Sequence, residues 1–190
     1  MDTVKPIETI YNGRKFRSRL EARWAVFFDA IGADWEYEPE GYQLSDGTCY
    51  LPDFLIHNIV FKCGKPDDRL FIEIKGVPSL EDEHKVNLFC GGLIDDYLYE
   101  NPIVMFGRIP TGNDIFEIMD DIGEHYDWER TPFFSFNNVM TDCYMAFLAK
   151  GKDGEVYLTG EDYTEYIDED TTVRAYKKAA IARFEHGENG

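Results

Sequence analysis

The chain has 190 residues, 44% of them apolar and 15% aromatic, and its 37 Asp and Glu against 19 Lys and Arg give a formal charge of −18. A chain of this length and apolar content can bury a core, which excludes intrinsic disorder, and no apolar run reaches the roughly 18–20 residues of a membrane span. An isoelectric point near 4.5 argues against a general nucleic-acid binder, because such proteins usually carry a basic surface.

The N-terminal part of the chain predicts an amphipathic helix. Apolar residues recur at steps of three and four over residues 16–31, which places them on one helix face. Ser18 and Glu21 have the spacing of a capping box, and Gly32 is suited to end the helix.

Three strands are predicted next. They span Trp35–Glu38 with a continuation at Tyr42–Leu44, Thr48–Ile56, and Leu70–Lys75. Asp46-Gly47 predicts a two-residue hairpin turn before the second strand, and Pro52 interrupts that strand. Residues 64–68 (Gly-Lys-Pro-Asp-Asp) predict an exposed loop before the third strand, which ends at Gly76.

A helix and a buried strand complete this unit. The helix is expected over Leu80–Leu98, where Gly91-Gly92 indicates a kink or a break. Pro102–Gly107 is short and wholly apolar, as a buried strand is. The order of helix, three strands, helix and strand predicts an α/β fold with a mixed central sheet and its own core.

The rest of the chain, residues 108–190, predicts an α+β extension. Residues 115–122 have helical spacing, and a last helix is expected over Thr172–Glu185 with Gly187 as its cap. Between these helices a hairpin is predicted from Tyr144–Leu148 and Val156–Leu158.

The amino terminus and the cysteines bear on the compartment of the protein. The first residues lack the pattern of a signal peptide, so we expect a cytoplasmic protein. The cysteines are Cys49, Cys63, Cys90 and Cys143. They form no C-x-x-C pair, so neither a zinc site nor a disulfide framework is expected.

The negative charge is distributed unevenly. Residues 1–23 carry a balance of +3 and residues 171–190 one of +2, whereas residues 24–170 carry −23. Both ends are therefore locally basic on an acidic body. Taken alone, this pattern is explained by solubility, with the ends as solvated helices.

Three charged residues lie in predicted apolar strands. Glu73 and Lys75 project from one face of their strand, because side chains alternate, while their neighbours Ile72 and Ile74 point to the other. Asp53 is the single acid in the apolar run after Pro52. Two carboxylates on neighbouring strands, where the sheet opens, suit Mg²⁺ or Mn²⁺. A lysine beside them can assist an attacking water or stabilise phosphate charge.

Each of these residues also has a structural interpretation. Glu21 on the first helix can simply complete the capping box, and Glu73 and Lys75 can form an ion pair on an exposed strand. The same Glu-x-Lys spacing recurs at Glu83 to Lys85, and the dipeptide Pro-Asp recurs within the predicted loop 64–68. These repeats lie in polar surroundings, so the context favours Asp53, Glu73 and Lys75.

In this order and context the residues resemble the PD-(D/E)XK nuclease superfamily. The resemblance covers about residues 11–107 and rests on Pro52-Asp53 followed by Glu73-Ile74-Lys75, with Glu21 matching the first-helix glutamate of many members. Two further stretches are similar to small members from phages and mobile elements: Trp35–Gly41 and Ala182–Gly187.

The resemblance implies a restriction-endonuclease-like αβββαβ core and Mg²⁺- or Mn²⁺-dependent hydrolysis of DNA phosphodiester bonds, in a bacterial or phage-infected cell. Asp53, Glu73 and Glu21 would hold the metal, and Lys75 would assist the water or the transition state. A homodimer or another protein partner is compatible with it, because many members of the fold dimerise. The resemblance says little about residues 108–190.

The basic N-terminal segment then acquires a second interpretation. Arg14, Lys15, Arg17 and Arg19 lie just before or on the helix that carries Glu21. They could contact a DNA backbone while the acidic body faces away.

The acidic body itself supports a rival hypothesis. A balance of −23 over residues 24–170 repels phosphate and suits a basic groove on a partner protein. On this hypothesis the chain is a non-catalytic interaction protein with a nuclease-like fold, acting as a DNA mimic or as an inhibitor of a host defence or nucleic-acid enzyme.

Overall fold

The computed structural model describes residues 7–61, 66–91, 93–95, 98–110, 133–134, 147–159 and 164–184. The described residues form a mixed α/β protein with a mixed sheet and three α-helices: α1 (Arg19–Ile31), α2 (Leu80–Cys90) and α3 (Glu169–Ile181). Their strands are β1 (Thr9–Tyr11), β2 (Arg14–Phe16), β3 (Asp34–Tyr37), β4 (Tyr42–Gln43), β5 (Cys49–Tyr50), β6 (Phe54–Phe61), β7 (Pro66–Ile74), β8 (Leu93–Asp95), β9 (Leu98–Tyr99), β10 (Ile103–Phe106), β11 (Phe133–Phe134), β12 (Phe147–Lys150) and β13 (Val156–Thr159). None of the helices in these ranges is long and apolar enough to cross a membrane.

The central sheet has seven strands in the order β11-β10-β7-β6-β13-β12, with β3 also paired to β6. β6 and β7 are antiparallel, whereas β10 runs parallel to β7 after the crossover that contains α2. Strands from both halves of the chain therefore share one sheet, since β13 lies parallel to β6. Along the chain α1, β3, β6, β7, α2 and β10 follow one another, with the hairpin β4–β5 between β3 and β6 and the hairpin β8–β9 between α2 and β10.

Helices cover both faces of this sheet. On one face α1 and α3 pack over the cluster that contains Ile72, Ile74 and Phe106. On the other face α2 packs Val86 and Phe89 against the cluster that contains Phe71. Alternation along β7 therefore sends Ile72 and Ile74 into one core and Phe71 into the other.

Helix α1 begins later than predicted. Ser18 is its N-cap in an extended conformation and accepts a hydrogen bond from the backbone N–H of Glu21 (3.1 Å), while residues 14–16 form β2. The predicted start at residue 16 was wrong because the apolar Phe16 belongs to that strand and packs in the same core. Gly32 ends the helix as predicted, with a left-handed φ of 67°.

Helix α2 ends earlier than predicted. It stops at Cys90, and Gly91 has a φ of 73°, so the chain turns away and forms the hairpin β8–β9 instead of continuing to residue 98. The glycine pair marked this break in the sequence, because glycine readily adopts positive φ.

Three other boundaries also differ. The end of the predicted loop 64–68 belongs to β7, which starts at Pro66, where a proline needs no ladder hydrogen bond. The turn after β4 has three residues, since the N–H of Leu44 donates to the carbonyl of Thr48 (2.8 Å). Helix α3 starts earlier, at the N-cap Asp168, and ends at Ile181 rather than at residue 185.

The hairpin of the extension is confirmed as β12 and β13, and the break at Pro52 is confirmed between β5 and β6. The predictions for 115–122, for 144–146 and for the cap Gly187 lie outside the described residues.

Candidate functional site

The break at Pro52 brings Asp53 beside Glu73. Phe54 is paired with Ile72 at the end of the β6–β7 ladder, so the residues that follow in register are Asp53 and Glu73. The side chain of Asp53 accepts a hydrogen bond at Oδ2 from the backbone N–H of Ile74 (2.7 Å). Both carboxylates are buried, with relative exposures of 1% for Asp53 and 5% for Glu73.

Lys75 lies just beyond the end of β7 and forms, with Asp53 and Glu73, the charged cluster of the site. Its Nζ lies 2.7 Å from Glu73 Oε1 and 3.6 Å from Asp82 Oδ1 at the start of α2. Burial opposes the charged form of Lys75, but the neighbouring carboxylates, Glu73 first, outweigh it and raise the pKa of Lys75. Lys75 is therefore an ammonium at neutral pH.

Glu21 lies at the other side of the cluster, on the first turn of α1. Its Oε1 accepts a hydrogen bond from Ser18 Oγ (2.8 Å), and its Oε2 accepts from Tyr37 OH (2.6 Å) and from the backbone N–H of Arg17 (3.1 Å). Ser18 therefore caps α1 through the N–H of Glu21 (3.1 Å), while the carboxylate of Glu21 accepts from the Ser18 hydroxyl and the N–H of Arg17. This capping does not separate Glu21 from the cluster, because the charge of Glu21 also contributes to the raised pKa of Asp53.

Arg17 links the two sides. Its Nη2 donates to Asp53 Oδ1, its Nε lies 2.9 Å from Glu38 Oε1 and 4.0 Å from Glu21 Oε2. Desolvation opposes the charged form of Arg17, but the charge of Asp53 outweighs it, so the pKa of Arg17 is raised. The sequence placed Arg17 among four candidates for DNA contact; the structure places its guanidinium within the carboxylate cluster.

Two of the other three basic candidates contact residues elsewhere. Arg14 places its guanidinium 5.0 Å from the ring centroid of Trp35, and Lys15 pairs with Glu8 at 2.7 Å. Arg19 is exposed on the first turn of α1.

Two residues that the sequence did not single out hold the cluster in place. Tyr50 is buried and its OH donates to Glu73 Oε2 (2.7 Å). Asp82 accepts hydrogen bonds from the backbone N–H of Ser79 (2.9 Å) and faces Lys75. The sequence could have identified Asp82 as a helix-start residue, because Ser79 and Asp82 have the spacing of a capping box. For Tyr50 there was no such signal, because an aromatic residue near a strand end normally predicts core packing.

Burial, followed by the negative charge of Glu73, raises the pKa of Asp53 from its ordinary 3.8 to about 7. The N–H of Ile74 favours the charged form but does not compensate for the loss of hydration. The carboxylate already has a cationic partner, because Arg17 Nη2 donates to its Oδ1.

The raised pKa predicts how stability depends on pH. Between 3.8 and about 7 the folded chain binds more protons at Asp53 than the unfolded chain does, so the free energy of unfolding falls as the pH rises. Relative to Asp53→Asn, which does not titrate, we expect the wild type to lose about 1–4 kcal/mol over this interval. Urea denaturation in EDTA across the interval measures this difference.

Asp46→Asn is the matched control. A hydrogen bond from the backbone of Thr48 lowers the pKa of Asp46, which therefore stays charged over most of that interval. The difference in free energy of unfolding between Asp46→Asn and the wild type should therefore be almost constant across the interval. A constant difference for Asp53→Asn as well would contradict the prediction.

Comparison of the chain with family models, with curated proteins and with solved structures finds no match.

The donor set of the cluster suits a hard divalent cation. Among the described residues, no three His, Cys, Asp or Glu side chains are arranged to hold a metal ion together. Mg²⁺, however, usually takes one or two carboxylates and completes its shell with water and substrate phosphate. Asp53 and Glu73 provide two buried carboxylates in adjoining positions. The residues present thus fit Mg²⁺ or Mn²⁺.

Proposed function

We propose that the protein is a metal-dependent nuclease that hydrolyses DNA phosphodiester bonds, encoded by a phage or a mobile element. Residues 11–107 would form its restriction-endonuclease-like core, and residues 108–190 an extension to it. The observation that carries the proposal is the pair of adjoining buried carboxylates, Asp53 and Glu73, with the ammonium of Lys75 2.7 Å from Glu73 Oε1.

The arrangement supports this chemistry because it concentrates opposite charges where a sheet opens. Burial of two carboxylates and one amine at a strand end is costly for folding alone. Lys75 lies beside the first turn of α2 and is partly accessible, with 31% of its side chain exposed. A phosphate can therefore approach the amine from solvent.

Each residue of the cluster has a role in the proposed reaction. Asp53 and Glu73 would hold Mg²⁺ or Mn²⁺, and Glu21 would contribute a further carboxylate or hold a water. The bound cation would supply Lewis-acid stabilisation of charge on the phosphate. Lys75, being protonated, would donate to the attacking water or to the charge that develops on the phosphate oxygens.

The test is cleavage of supercoiled, linear and branched DNA in Mg²⁺ or Mn²⁺. We expect cleavage of at least one form, abolished by EDTA and increasing with cation concentration. Calorimetry should also detect Mn²⁺ binding that Asp53→Ala removes, with Asp46→Ala as a control of equal charge change. Absence of cleavage for every DNA form, together with absence of Asp53-dependent Mn²⁺ binding, would exclude a nuclease.

A second candidate is the non-catalytic acidic interaction protein. The observation in its favour is that the chain already pairs its own carboxylates, Asp53 with Arg17 and Glu73 with Lys75. Such a network is also what a structural cluster on an acidic body of charge −18 would contain. Binding of a basic partner protein without any Asp53-dependent Mn²⁺ signal would favour this candidate.

A further inference from the structure

Arg17 occupies the position of a counterion to Asp53. Its guanidinium donates through Nη2 to Asp53 Oδ1 and through Nε to Glu38 Oε1 (2.9 Å). Lys75, the other cation of the cluster, pairs with Glu73 and Asp82 instead. Asp53 therefore obtains its positive partner from the segment that precedes α1.

Both oxygens of Asp53 already have partners. Oδ2 accepts the hydrogen bond from the N–H of Ile74 (2.7 Å), within the strand ladder, whereas Oδ1 faces Arg17. A divalent cation on Asp53 would bind at Oδ1, because Oδ2 is held by the backbone. A guanidinium and a divalent cation on the same oxygen repel each other, so the cation must displace Arg17.

Arg17 can leave this position, while Asp53 cannot. The side chain of Arg17 is 53% exposed and that of Asp53 only 2%. Arg17 is also anchored independently, since its backbone N–H donates to Glu21 Oε2 (3.1 Å) and to Tyr37 OH (3.1 Å). The side chain can therefore rotate into solvent beside the cluster without moving the chain.

A phosphodiester is the anion that a released guanidinium would bind. The planar donors of arginine match phosphate oxygens in a bidentate manner, and Arg14, Lys15 and Arg19 lie on the same basic segment of the chain. The position next to Asp53 is also where the proposed reaction places the phosphate.

We propose that Arg17 exchanges partners during the reaction cycle, releasing Asp53 to the divalent cation and binding the DNA phosphate instead. This inference rests on the proposed nuclease function and deepens it. Because Arg17 holds the cation-binding oxygen in the free protein and the phosphate in the complex, DNA and the cation bind cooperatively. By linkage, each increases the affinity of the other by the same factor.

Calorimetric titration with MnCl₂ tests the exchange in the wild type, in Arg17→Ala and in the matched control Arg14→Ala. Without DNA, Arg17→Ala should bind Mn²⁺ about fivefold or more tightly than the wild type, because the competing guanidinium is gone. Arg14→Ala removes the same charge without touching Asp53, and should change the affinity much less. With a short, cleavage-resistant phosphorothioate duplex present, the wild-type affinity for Mn²⁺ should rise, and Arg17→Ala should lose this gain.

The outcomes separate the exchange from the function on which it rests. Equal or weaker Mn²⁺ binding by folded Arg17→Ala, or an equal gain from DNA in both proteins, would overturn the exchange and leave the nuclease proposal intact. Absence of Asp53-dependent Mn²⁺ binding in the wild type would overturn the exchange, and together with absence of DNA cleavage it would overturn the nuclease proposal as well. If Arg17→Ala does not fold, Arg17→Gln keeps the aliphatic part of the side chain, removes the positive charge and carries the same expectations.

Discussion

Replacing Lys75 by methionine is expected to lower the rate of DNA cleavage by about 10²–10⁴-fold, because the ammonium stabilises charge in the transition state. Methionine keeps the length of the side chain and removes its charge. Glu73 loses a partner at 2.7 Å but keeps the hydrogen bond from Tyr50 OH, also 2.7 Å. The loss should appear in kcat more than in KM, since Lys75 acts on the reacting phosphate.

The pH profile gives this prediction a second readout. The pKa of Lys75 is raised by Glu73 in spite of burial, so Lys75 stays protonated through the neutral range and does not act as a general base there. If kcat of the wild type increases with pH, the same increase should therefore also be present in Lys75→Met. A variant that lost this increase would show that Lys75 acts as a base.

Lys85→Met is the matched control for Lys75→Met. Lys85 has the same spacing from an acid, Glu83, but lies on α2 and pairs with Glu81 Oε1 at 2.6 Å. Its replacement should leave the cleavage rate close to that of the wild type. Equal losses in both variants, or a folded Lys75→Met that cleaves at the wild-type rate, would contradict the assigned role.

Replacing Trp24 by alanine is expected to lower the free energy of unfolding by about 3–5 kcal/mol. Trp24 is fully buried on α1 and stacks on Phe106 of β10, with ring centroids 4.7 Å apart. Its Nε1 donates to the backbone carbonyl of Gly107 (2.9 Å), and its ring meets Tyr176 of α3 edge to face at 6.1 Å. One side chain thus joins two helices and the sheet, and its removal leaves a cavity and an unpaired carbonyl.

Urea denaturation followed by far-UV circular dichroism measures this loss. Trp35→Ala is the control, because Trp35 is only partly buried and its Nε1 donates to the exposed side chain of Asp29 (2.9 Å). Trp35→Ala should lower the free energy of unfolding clearly less than Trp24→Ala does. The prediction is contradicted if the two substitutions lower the free energy of unfolding by similar amounts. It is also contradicted if Trp24→Ala lowers it by less than about 1 kcal/mol.

The elements that the sequence predicts well are those with local signals. The apolar spacing and the glycine at residue 32 identify α1, because helix periodicity and its caps are properties of neighbouring residues. The separation of Glu73 from Ile72 and Ile74 follows from strand alternation alone, and is confirmed by their burial in different surroundings.

The partners of the cluster could not be predicted in the same way. Arg17 and Asp53 are 36 positions apart in the chain, and Tyr50 and Glu73 are 23 apart. These pairs depend on the register between β6 and β7 and on how α1 packs, which no local pattern specifies. Composition allowed Arg17 to be a DNA ligand, but only tertiary structure pairs it with Asp53.

The alternation of core-facing side chains shifts by one residue within β6, and the sequence pattern does not predict this shift either. Phe54 and Ile56 point into the core, and after Asn58, which has a positive φ of 54°, so do Ile59 and Phe61. Regular alternation would have sent the last two outward. A left-handed asparagine within a strand is uncommon, and strand periodicity does not predict it.

β6 pairs with two strands that lie far apart in the sequence, and these two strands are made at different times during synthesis. Its first half pairs with β3, which precedes it, whereas Ile59–Phe61 pairs with β13, which the ribosome adds about a hundred residues later at about 5–20 residues per second. For several seconds the nascent chain therefore carries an open, apolar strand edge, the kind of surface on which neighbouring chains can add strands. This edge is closed only after β13 has been made and pairs with Ile59–Phe61.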